Sequence, residues 1–65
     1  MIDCIISKIQ GGYRITTYRI TTENDQEDLL SRMSMRYLGY SKKKALSEHR
    51  RIFNLKGEHL NIIEI

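Results

Sequence analysis

The chain has 65 residues, of which 40% are apolar and 29% charged, with a net charge of +3. A chain of that size and composition folds as one small domain, with little depth to spare for a catalytic cavity. No run approaches the ~20 apolar residues of a membrane span, the start "MIDCIISKIQ" lacks the features of a secretory leader, and the lone Cys4 excludes an internal disulfide and a cysteine-rich zinc site, so the cytoplasm is the expected location.

The first element is "IDCIISKI", rich in β-branched residues and ended by Gly11-Gly12, a pair suited to a tight hairpin turn. The second strand then carries one pentapeptide twice, "YRITTYRITT", so that a hairpin is expected over residues 2–21. Five is odd and strands alternate with a period of two, so Tyr13 and Ile15 must oppose Tyr18 and Ile20 on a straight strand. Either a β-bulge near Thr16-Thr17 restores both copies to one face, or the outer face is itself an interface. Apolar residues on both faces of the other strands favour the interface: Ile2, Cys4 and Ile6 oppose Ile5 and Ile9, and Leu60 and Ile62 oppose Ile63 and Ile65. Tyr13, Ile15 and Tyr18 are the candidate interface residues, most simply in a homodimer.

A first helix is expected over about residues 24–38. Asn24 and Glu27 have capping-box spacing, and Asp25, Glu27 and Asp28 suit the positive end of a helix dipole. Leu30, Met33 and Tyr37 follow at helical spacing, and Gly39 closes the segment. Ser41 caps a second helix over about residues 42–54, with Ala45, Leu46, His49, Ile52 and Phe53 on one face and Lys43, Lys44, Ser47, Arg50 and Arg51 on the other. A last strand is expected over residues 59–65. The chain therefore reads as an α+β, ββααβ single domain over residues 1–65: a three-stranded, mostly antiparallel sheet with two helices on one face.

The charge is unevenly placed. Arg32, Arg36, Lys42, Lys43, Lys44, Arg50 and Arg51 stand against Glu48 alone in residues 31–53, a balance of +6, whereas residues 1–30 balance at −2. Lysines in the first turn of a helix oppose its dipole, and the same helix end attracts anions. Ser41, Lys42, Lys43, Lys44, Arg50 and Arg51 thus form a candidate anion or nucleic-acid site, bordered by Arg32 and Arg36. His49 sits midway along the apolar arc, where a packed histidine is the expectation, and His59 opens the last strand. No catalytic set, phosphate loop or metal-ligand spacing is present, so no enzyme, metal or cofactor is implied.

"LGYSKKKAL", with an alternating strand upstream, resembles the helix-to-helix junction of ribbon–helix–helix DNA-binding proteins. That resemblance implies reading of DNA by outward strand residues, with Arg14, Thr16, Arg19 and Thr21 as candidates. The extra strand at each end of this chain departs from that pattern. "YRITT" together with "EHRRIFNLKGEHLNIIEI" is similar to small phycobilisome linker domains, which implies a linking role. The sequence reading is a small non-enzymatic binding module that takes nucleic acid or an acidic protein surface through its basic helix. The alternative is a protein–protein adaptor or linker using the sheet face.

Overall fold

The computed structural model describes residues 2–23 and 26–65, with side chains over residues 2–21 and 31–65. The elements run β1 (Ile2–Ile9), β2 (Gly12–Glu23), β3 (Gln26–Leu38), α1 (Lys42–Ile52) and β4 (Leu60–Glu64). They form a four-stranded mixed sheet in the order β3-β2-β1-β4, with α1 against one face. The expected three-stranded sheet with two helices is therefore overturned. Residues 26–38, read as a helix, are a strand paired antiparallel with β2. The capping box read at Asn24 and the acidic first turn at Asp25 lie outside the described residues. No described helix is long and apolar enough to cross a membrane.

The reason for a strand rather than a helix lies in the alternation from Ser31 to Leu38. Met33, Met35 and Tyr37 line up beside Thr17, Ile15 and Tyr13 of β2 on the α1 side, while Arg32, Ser34 and Arg36 stand on the other side. The free edge of β2 offers that segment a full ladder of backbone partners, which outweighs its helical propensity. The ribbon–helix–helix likeness falls with this helix, because the junction at Leu38–Ser41 joins a strand to a helix. β4 also departs from expectation. It pairs parallel with β1, as a strand reached through an intervening helix can do.

The repeat resolves by facing both ways. Ile15 pairs with Ile6 and is fully buried, so it belongs to the interior and not to an interface. Tyr13 is half-buried against the same core, and Tyr18 lies on the opposite face. The ladder does contain an irregularity, but between Arg19 and Ile20, where Arg19 pairs with Ser31 and Ile20 with Leu29. Leu30 of β3 is the extra residue, not one of β2. At the other end of the pair, a Cβ on Gly12 would run into the carbonyl of Tyr37, so the close approach of the two chains there requires glycine.

Ile2, Cys4, Ile6, Ile15, Tyr37 and Leu60 of the sheet pack with Ala45 of α1 and with Leu55 beyond it. Burial raises the Cys4 thiol above its usual range, as for a thiol serving as a core residue. His49 is fully buried at the centre. The Tyr37 hydroxyl lies 2.6 Å from its Nδ1 and the Thr17 hydroxyl 3.1 Å from its Nε2, while Thr17 Oγ1 also lies 3.4 Å from the Met33 carbonyl. One tautomer uses every proton. Tyr37 donates to Nδ1, Nε2–H donates to Thr17, and Thr17 donates to Met33. Two strand residues thus hold one helix residue, with Met33 holding Thr17 in turn and the His49 ring tilted against Phe53 at 4.7 Å.

Burial pushes the His49 imidazole from its ordinary 6.5 down to about 4. Between those values the unfolded chain binds a proton that the folded chain refuses. Stability is then full above pH ~6.5 and falls toward pH ~4 with a slope approaching ~1.4 kcal/mol per pH unit. Urea unfolding over this range should show that slope in the parent and a flatter profile in His49→Gln. Equal profiles would show that His49 does not carry the dependence.

Candidate anion-binding surface

The six residues read from the sequence as an anion site separate into three groups. Ser41 is the N-cap of α1, and its hydroxyl accepts a hydrogen bond from the Lys44 amide at 3.3 Å. Lys42 turns to the sheet and pairs with Glu64 of β4 at 2.6 Å, which raises its ammonium above the usual range. Lys43 and Lys44 are exposed, and the Lys44 ammonium stands 5.9 Å from the Tyr40 ring centroid.

Arg50 and Arg51 lie two turns further along, about 10 Å from the lysines at 1.5 Å per residue. Beyond Phe53 the chain turns through Asn54, which takes a positive φ of 54°, so that the carbonyls of Leu55 and Glu58 come back toward the helix. Arg50 Nη1 donates to both carbonyls, at 3.4 and 3.0 Å. Its guanidinium therefore ties the helix end to the following turn. Arg51 pairs with Glu48 through two hydrogen bonds of 3.3 and 2.7 Å, which hold the Glu48 carboxyl below the usual carboxylate range.

Both arginines border an open cavity of about 300 Å3 completed by Ser47 and Lys56. Three cations and one hydroxyl line it, with no carboxylate among the lining residues. Lys56 was not read from the sequence, because only the turn at Asn54 brings it beside α1. Arg32 and Arg36, expected to border this surface, lie on the opposite face of the sheet.

His49 brings no reactive group to this surface. His49 is enclosed as described, and the Tyr37 hydroxyl beside it is pushed up to about 12, first by burial and then by Glu48 and Tyr40. Among the described residues no three of His, Cys, Asp and Glu converge as metal ligands would. Comparison with protein-family models, curated proteins and solved structures finds no match, so the chain's own geometry carries the functional argument.

The contacts separate Arg50 from Arg51 in role. Arg50→Ala should lower the free energy of unfolding by about 1–2 kcal/mol, because two carbonyls lose a charged donor, whereas Arg51→Ala should leave it unchanged. Paired urea titrations check this. Equal losses would show that Arg50 is not the tie between helix and turn.

Proposed function

We propose that the protein is a non-enzymatic, cytoplasmic binding module that engages nucleic acid through the basic surface of α1. The observation that carries this reading is the cavity lined by Ser47, Arg50, Arg51 and Lys56, with Lys43 and Lys44 exposed further along the same helix. Phosphate contacts need cations held in place and hydroxyl or amide donors beside them. Arg50 is fixed by the carbonyls of Leu55 and Glu58, so binding an anion costs it little side-chain freedom. Contacts of this kind give affinity and orientation without reading base sequence.

Lys42 belongs to the fold more than to the partner, since it already pairs with Glu64. Lys43, Lys44 and Lys56 are the residues whose charge can be reversed without breaking an observed ion pair. In a fluorescence-anisotropy titration, parent affinity for nucleic acid should fall steeply as salt rises. Reversing all three lysines to Glu should weaken binding, reduce the salt slope by about three and leave the thermal melt unchanged or slightly raised, since Glu suits the first turn of α1. Absence of binding by the parent at low salt, or an unaltered slope in the variant, would remove this reading.

A further inference from the structure

The sheet face turned away from α1 divides into two halves. On β2 and β3 it presents Arg14, Arg32 and Arg36, all exposed and none in an ion pair with a described residue. Arg14 stands opposite Arg36 in the ladder, and Tyr18 stands opposite Arg32, whose guanidinium carbon lies 6.0 Å from the tyrosine ring centroid. The two rows are about 13 Å apart along the strand, four residues at ~3.3 Å each. Between them the hydroxyls of Thr16 and Ser34 bond to each other at 2.9 Å. The one carboxylate of β1, Asp3, is engaged by the Asn61 amide at 3.1 Å.

The other half, on β1 and β4, carries three isoleucines among Asp3, Ser7 and Asn61. Ile63 is 40% exposed and Ile65, just beyond β4, 79%, with Ile5 between them and β2. A groove of about 230 Å3 separates the halves, with Arg14, Tyr18 and Arg32 on one wall and Ile5 and Ile65 on the other.

We infer that this open face binds single-stranded nucleic acid, with an unpaired base against Tyr18 and the flanking phosphates held by Arg14, Arg32 and Arg36. A single strand offers flat apolar base faces and a chain of negative charge together, the two properties on which the halves of this face differ. A duplex hides its base faces and would use only the arginines. A second copy of the chain is the poorer occupant, because a two-fold contact between identical faces brings into one interface six guanidinium groups that form no ion pair with a described residue. The inference takes its ligand class from the nucleic-acid reading above but uses different residues on the opposite side of the sheet.

The test titrates the protein with a labelled mixed-sequence strand, as DNA and as RNA, and with the matching duplex. The parent should prefer the single strand. Tyr18→Leu should weaken single-strand binding by about tenfold, the loss of one stacked base, and leave duplex binding unchanged, while Tyr18→Phe should keep the preference. Should Tyr18→Leu fail to fold, amide shifts in the parent decide instead. The single strand should move Thr16, Tyr18 and Ser34. Shifts confined to Ser47–Lys56, or equal affinity for strand and duplex, would overturn this inference and leave the α1 reading standing. Binding to neither would remove both. A dimer in sedimentation that shields Tyr18 and Ile65 would overturn it in favour of self-association.

Discussion

The arrangement turns on one neutral imidazole placed where a charge would be intolerable. A single 11-residue helix covers this sheet, and an isolated helix of that length is marginal in water. Apolar contact with Ile15, Tyr37 and Leu55 supplies much of its stabilisation but little direction. The bonds from His49 to Tyr37 and Thr17 are directional, and they come from two neighbouring strands. They fix the rotation of α1 about its own axis. That rotation in turn sets Ala45 and His49 inward and leaves Lys43, Ser47 and Lys44 outward.

Because the hub is fully satisfied, it costs the core little; no buried side-chain nitrogen or oxygen among the described residues lacks a partner. The same satisfaction makes it fragile, since removing either hydroxyl strands a buried ring nitrogen. The basic surface depends on this hub at one remove. Arg50 follows His49 directly, and its reach to the carbonyls of Leu55 and Glu58 requires the helix to end at the right angle. The cations thus fall into two kinds. Lys42, Arg19, Arg50 and Arg51 already hold a partner within the chain. Lys8, Lys43, Lys44 and Lys56 on one side of the sheet, and Arg14, Arg32 and Arg36 on the other, form no ion pair with a described residue.

Much of this is legible in the sequence, and the exceptions have physical causes. The β-branched run, the Gly-Gly turn and the capped basic helix each announce themselves locally. The segment from Gln26 to Leu38 does not, because Leu30, Met33 and Tyr37 satisfy a helical period while Met33, Met35 and Tyr37 satisfy a strand period. The choice is made by the vacant edge of β2, which no local window contains. The same missing strand explains the repeat: once β3 exists, one copy faces α1 and Tyr18 of the next faces away, with no interface needed to account for Ile15. Arg50 and Arg51 are visible as helix charges, but Lys56 joins them only through the turn at Asn54. The division of the cations into paired and unpaired likewise depends on contacts between distant elements, such as Lys42 with Glu64.

The most direct test of the account is the protonation state of His49, followed by NMR of its ring nitrogens across a pH titration. The account predicts a neutral ring at pH 7 with the proton on Nε2 and Nδ1 bare, and a protonation midpoint of about 4. A proton on Nδ1 would reverse the two bonds, with Nδ1–H donating to Tyr37 and Thr17 donating to Nε2; a midpoint near the ordinary 6.5 would mean that the ring is solvated and unbonded. The helix would then have lost the anchor from which the rest of the arrangement follows.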